Sequence, residues 1–256
     1  MISFSLIPYS SVGQTGPSPE AKTKKFSYPA ELQTYVNPTD LCDSENPEIL
    51  QTAAQLTENC KSPSEAAVKL FNFVRDECLF GLSEADEKAS VTLNSRIGWC
   101  ITKNNLMVAM LRSVGIPARY HQVSVNKISL KGIVSNMLYK MLPEVITIHP
   151  WCECYLDGKW LACDVTFDKQ TYQAAIVKGF FPQGNISNIE WDGLTDSKWV
   201  SVFVLEDHGV HASYDDISRK VADENRKMGP KFMLRAITNR SNKKTAKFRE
   251  RYAGNS

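Results

Sequence analysis

The chain has 256 residues, 43% of them hydrophobic and 10% aromatic, so it can bury a large core as one domain with appendages. Its net charge of +2 conceals a basic stretch: Arg219 to Arg251 holds twelve Lys or Arg against three Asp or Glu, a local +9 that leaves −7 for the rest. No apolar run reaches the roughly 18 residues a membrane span needs, and seven cysteines without framework spacing fit reduced thiols in a cytoplasm better than a disulfide scaffold.

Residues 1–40, rich in Pro, Ser and Thr without periodicity, predict an irregular arm. The first residues lack the basic start, apolar run and cleavage site of a secretion signal. Two helices should follow. In "ENPEILQTAAQLTENC" Asn46 is the cap and Pro47 occupies the first turn; "SPSEAAVKLFNFVRDECLFG" opens with a capping box from Ser62 to Glu65. Ala67, Leu70, Phe71, Val74 and Cys78 then recur at helical spacing and mark a buried face. Cys60 and Cys78 are ordinary core or surface residues on this reading.

The segment "GWCITKNNLMVAMLRSVGIPAR" places Cys100 in the first turn of a buried helix that stops at Gly115 and Pro117. The position matters chemically. The nucleophile is the thiolate, and unpaired N–H groups with the positive end of the helix dipole stabilise negative charge at a helix start. The same N–H groups can hold the oxyanion formed when sulfur attacks a carbonyl, and Gly98 would let a substrate approach the backbone. "ARYHQVSVNKISL" should be a strand with Tyr120, Gln122 and Ser124 on one face.

A thiolate needs a base, and the chain holds four histidines. Around His149, two alternating runs in "ITIHPWCECYLDGKWLACDVTFD" flank Asp157-Gly158, the signal for a two-residue type I′ hairpin turn. That turn pairs Leu156 with Lys159, Tyr155 with Trp160 and Trp151 with Asp164. His149, Trp151, Glu153 and Tyr155 then share one face with Trp160, Ala162, Asp164 and Thr166. Asp164 lies diagonal to His149, about 7 Å away along the backbones, within side-chain reach. A thiol, a base and a carboxylate that fixes the base's tautomer are the parts of nucleophilic cysteine catalysis.

These same residues resemble the transglutaminase-like superfamily of papain-like cysteine enzymes. The likeness is carried by Gly98-Trp99-Cys100, the helix end from Arg112 to Arg119, His149-Pro150-Trp151-Cys152-Glu153, and Trp160 to Asp164-Val165-Thr166, and it covers roughly residues 45–170. It implies an α+β fold with a cysteine-bearing helix packed on an antiparallel sheet. It also implies the triad Cys100, His149 and Asp164, which attacks an amide carbonyl, forms a thioester, and passes the acyl group to water or to an amine. No cofactor or metal is implied.

The pattern departs from the animal enzymes, which are larger, add calcium sites and β-domains, and place a tryptophan well upstream of the cysteine. Here the first tryptophan is Trp99. Asn94, six residues before Cys100, is the candidate second oxyanion donor, with Trp99 and Trp151 as supporting residues. Glu153 should hold a neighbouring loop or arginine, and Arg119 should form an ion pair or grip a substrate carboxylate.

Cys152, Cys154 and Cys163 cluster on the opposite hairpin face, but without C-x-x-C turns or a fourth ligand they read as core thiols rather than a zinc site. His208 and His211 in "EDHGVHASYDD" read as a surface loop. Phe180, Phe181 and Trp191 could line or cover the cleft, a strand should lie near "VSVFVLED", and Ser213 with Asp216 should cap a helix ending at Gly229-Pro230. The expected organisation is an arm over 1–40, a catalytic domain over 41–212 and a basic helical extension over 213–256. The expected function is a cysteine hydrolase or acyltransferase acting on a peptide, protein or small amide, with a non-catalytic binding module using the basic tail as the alternative. No membrane partner is expected, and nucleic acid is disfavoured because aromatics do not interleave with the basic residues.

Overall fold

The computed structural model describes residues 25–181 and 190–252; the greater part of the expected arm and the middle of the loop after position 181 lie outside the described residues. Helices α1 (Pro47–Thr57), α2 (Pro63–Glu77), α3 (Ala89–Ser95) and α4 (Cys100–Ser113) come first, with the two-residue strands β1 (Leu79–Phe80) and β2 (Ile97–Gly98) pairing in parallel between them. Next are strand β3 (Ala118–Asn126), helix α5 (Asn136–Met141) and the hairpin of β4 (Val145–Leu156) and β5 (Lys159–Cys163). Helix α6 (Lys169–Val177), strand β6 (Val204–His211) and helices α7 (Asp215–Lys227) and α8 (Lys231–Tyr252) complete the chain.

The expected α+β architecture is present: the four-stranded sheet runs β5-β4-β3-β6 with every neighbour antiparallel, and α4 packs on its central strand β4. Both expected caps form. Asn46 Oδ1 accepts from Glu48 N at 2.9 Å, and Ser62 Oγ accepts from Glu65 N at 3.1 Å. The returning carboxylate of Glu65 takes the N–H of Lys61 rather than that of Ser62. Asp157 and Gly158 have φ of 48° and 83°, the left-handed backbone a type I′ turn demands, and the ladder from Leu156↔Lys159 to Cys152↔Cys163 keeps the expected register.

Helix α4 is buried along its whole length, polar residues included. A helix without a solvent face must satisfy each polar side chain internally. Lys103 Nζ donates to Arg75 O at 3.1 Å, Asn105 accepts from the Tyr120 hydroxyl at 2.6 Å, and Arg112 donates to the carbonyls of Asn37, Ala118 and Ala212. These bonds tie α4 to α2, to β3 and to the segments preceding α1 and α7.

Several local expectations are corrected. The "EDHGVH" stretch is strand β6, preceded by a 3-10 turn over Trp199–Phe203, so the strand starts later than its apolar residues suggest. Helix α7 is fixed by Asp215, whose carboxylate accepts from Thr39 Oγ1 and Leu41 N; Ser213 Oγ accepts from Asp215 N at 3.3 Å, while the N-cap residue Tyr214 makes no side-chain capping bond and Asp216 takes no part. Phe181 and Trp191 are core residues, 2% and 5% exposed, and Phe180 stacks on Phe248 of α8.

Candidate functional site

Cys100 opens α4 and is 7% exposed. The helix start is secured locally: Trp99 N donates to Thr102 Oγ1 at 3.1 Å and Lys103 N to Trp99 O at 2.8 Å. A side chain at Gly98 would strike Thr102 Oγ1 at 2.7 Å and Lys103 Cγ at 2.9 Å. Glycine is therefore required there for α4 to fold back against its own entry, a packing reason that stands beside the substrate approach expected from sequence.

His149 on β4 and Asp164 just after β5 meet as the hairpin register anticipates. His149 Nε2 lies 3.2 Å from Asp164 Oδ2, and both residues are buried, 4% and 1% exposed. The Cys100 thiol lies near enough to the ring to act on it electrostatically alongside Asp164. Because Asp164 takes Nε2, Nδ1 is the nitrogen left for sulfur. Burial alone would push the imidazole toward neutrality, but Asp164 and Cys100 outweigh it and raise His149 from 6.5 to about 10.

Asp164 is itself held. Its Oδ1 accepts from Thr166 N at 2.9 Å and Thr166 Oγ1 at 2.7 Å, and from Asn104 Nδ2 at 3.2 Å, leaving Oδ2 to the histidine. Asn104, one helical turn after the cysteine, joins every part of the site. Its amide nitrogen also lies 2.9 Å from Cys100 O, 3.1 Å from Pro150 O and 3.2 Å from Thr166 Oγ1, and its oxygen accepts from Cys152 N at 3.0 Å. Sequence reasoning missed this residue because an asparagine at a helical position looks like a solvent contact. Trp199 was missed too: its ring meets His149 edge-on at 6.0 Å, packed in an aromatic cluster with Phe167, Phe181 and Phe203.

The remaining candidates divide. Asn94 is exposed and its amide donates to Glu48 Oε2 at 2.6 Å, so it is engaged at the surface and makes no bond to the three central residues. Trp151 packs the sheet, stacked on His121 at 4.6 Å. Trp99 is half-buried, and its indole N–H is enclosed with no protein partner among the described residues.

Glu153 and Arg119 form an ion pair at 2.8 Å, with the guanidinium 4.0 Å from the Trp160 ring centre. The same Glu153 meets His121 Nδ1 at 2.7 Å, while His121 Nε2 reaches Asp207 on β6 at 2.8 Å. Cys152 and Cys163 are wholly buried, which raises both thiols. Among the described residues no three His, Cys, Asp or Glu side chains gather as a metal site. His208 instead bonds Ser124 at 2.6 Å and His211 packs edge-on to Tyr214.

Residues 50–165 match the family model of the Transglutaminase-like superfamily. No curated protein matches the chain. Among solved structures, a candidate cysteine protease from Cytophaga hutchinsonii aligns at 16% identity over 74% of this chain and 50% of its own, with a TM-score of 0.47. A candidate protease from Parabacteroides distasonis aligns at 15% identity over 52% of this chain and 25% of its own, TM-score 0.36. Red sea bream transglutaminase aligns at 17% identity over 50% and 26%, TM-score 0.33. The chain thus spans half or less of the length of these structures. No helix among the described residues is long and apolar enough to cross a membrane.

Proposed function

We propose, on the footing that residues 50–165 are a transglutaminase-like superfamily core, that this chain is a cysteine-dependent hydrolase or acyltransferase acting on an amide carbonyl through a Cys100–His149–Asp164 triad. The observation that carries the reading is the buried His149–Asp164 pair at 3.2 Å, with the Cys100 thiol at the start of α4 close enough to raise the same ring.

In this mechanism His149 Nδ1 takes the thiol proton, and Asp164 keeps Nε2 protonated and stabilises the imidazolium. The Cys100 sulfur attacks the carbonyl carbon, forming the C–S bond as the carbonyl π pair moves to oxygen. The Cys100 backbone N–H, at the unpaired end of α4, donates to that oxyanion, and the enclosed indole N–H of Trp99 is the second donor. Collapse breaks the C–N bond, with His149 returning its proton to the leaving amine. Water, deprotonated by the same ring, then cleaves the thioester. Hydrolysis leads over transfer because water is always present, while an amine needs a pocket of its own. All seven cysteines are unpaired, which supports a reducing, cytoplasmic compartment.

Peptide-mapped mass spectrometry of the chain after incubation with cell extract tests the reading. An acyl adduct on Cys100 that vanishes in Cys100→Ser and Asp164→Ala is expected. Absence of any adduct, or adducts spread over the other six thiols, would leave the binding-module alternative in its place. Adding a primary amine to a reacting mixture then separates transfer from hydrolysis by the product formed.

A further inference from the structure

The C-terminal basic segment is not a loose tail. Helix α8 turns Ile237, Ser241, Thr245 and Phe248 onto the body, and Arg249 enters it to donate to Phe80 O at 2.8 Å. With that face consumed, the opposite face is fixed outward. It carries Arg235, Arg240, Lys243 and Lys247, all exposed, and Phe232 stands amid them at the helix start, 77% exposed. Phe232 is flanked by Met233, 40% exposed, and by Met228, 51% exposed, across the Gly229-Pro230 corner from α7.

Between Arg226 and Lys247 the sequence has eight Lys or Arg and no Asp or Glu. Among the described residues Lys231, Arg235, Arg240, Lys243 and Lys247 make no ion pair with a carboxylate, so their charge is uncompensated. Beside them, Arg240 and Lys244 share a cavity of about 280 Å³ with Ser135, Asn136 and Met137.

We propose that this face of α7 and α8 is a docking surface for an anionic phospholipid membrane, with Met228, Phe232 and Met233 entering the interface and the α8 cations meeting the headgroups. Three large apolar side chains stand exposed together at the Gly229-Pro230 corner, and the cations around them give attraction to an acidic bilayer its two components. The cavity at Arg240 and Lys244 suits a headgroup phosphate. A nucleic acid strand fits less well, because one phenylalanine between two flexible methionines offers no row of rings for successive bases. Peripheral contact of this kind needs no membrane span and does not depend on the triad.

Co-sedimentation of the full chain with phosphatidylcholine vesicles, with and without phosphatidylglycerol, tests this. Binding should require the anionic lipid and disappear at high salt. Each basic side chain at an anionic surface contributes about fivefold, so Arg240→Gln, Lys243→Gln and Lys247→Gln together should weaken binding about a hundredfold. Phe232→Ser should cost about tenfold. All four positions are exposed, and an unchanged thermal melt verifies folding. Equal binding to neutral vesicles, no binding to either kind, variants that bind as tightly as the parent, or retention on a single-stranded oligonucleotide in preference to vesicles would each overturn the proposal.

Discussion

Asn104 donates to Oδ1 of Asp164 at 3.2 Å while Oδ2 of that carboxylate faces His149, so an asparagine on the cysteine-bearing helix orients the carboxylate from the hairpin. The two halves of the site, α4 and the β4–β5 hairpin, are joined through this one buried amide. Asn104→Ala would leave Cys152 N without its acceptor and remove a donor from four oxygens. The expected result is a loss of about 2–4 kcal/mol in denaturant unfolding, together with a fall in activity out of proportion to the folded fraction. Unfolding curves and turnover per folded molecule, measured on the same sample, check it.

Trp99 has an enclosed indole N–H without a protein partner. If that group meets the oxyanion, Trp99→Phe keeps the packing and removes only the donor. kcat should drop about a hundredfold with KM little changed. Unaltered kcat would mean the indole is merely buried.

The pH profile follows from His149. Its imidazole is raised toward about 10 by Asp164 and Cys100 against the opposing effect of burial. A raised base holds the proton it takes to higher pH, so the His149 imidazolium persists through neutrality and is lost only as pH passes the raised value. The alkaline limb of kcat/KM should therefore lie well above 6.5, near 10, and move down in Asp164→Asn. An alkaline limb close to the ordinary imidazole value would show that the carboxylate does not act on the ring.

The second histidine cluster predicts a stability profile. Burial works against charge on Glu153, but His121 and Arg119 prevail and hold its carboxyl below 4.5; Glu153 and Asp207 hold His121 above 6.5. Glu153 contributes stability above 4.5 that is lost as pH falls through its lowered value. His121 contributes stability below 6.5 that is lost as pH rises through its raised value. The two overlap fully between 4.5 and 6.5. Glu153→Gln should cost about 2 kcal/mol in that window and less on either side, read from Tm against pH.

Legibility in the sequence tracked contact range. Asn46, Ser62 and Asp157-Gly158 act within a few residues, so caps, turn and register could be read, and the register carried His149 to Asp164. The Lys103-Asn104-Asn105 run could not be read, because three polar residues on a helix signal solvent unless the partners beyond the helix, 15 to 64 positions away, are known. Asn94 misled for the converse reason: proximity in sequence to Cys100 suggested a shared site, but the turn at Arg96 and the link to Glu48 keep its amide at the surface. The basic C-terminal stretch looked the same whether docked or free until Arg249 and Phe248 were found buried.

Iodoacetamide alkylation, mapped by residue against pH, tests the central claim most directly. Cys60 is as exposed as Cys100, each at 7%, and serves as an internal control for access, while the other five thiols are fully buried. The account predicts that Cys100 is carboxamidomethylated first, at pH well below 8, and that Asp164→Ala slows it while Cys60 is unaffected. Equal labelling of Cys100 and Cys60 across the pH range, indifferent to position 164, would contradict it.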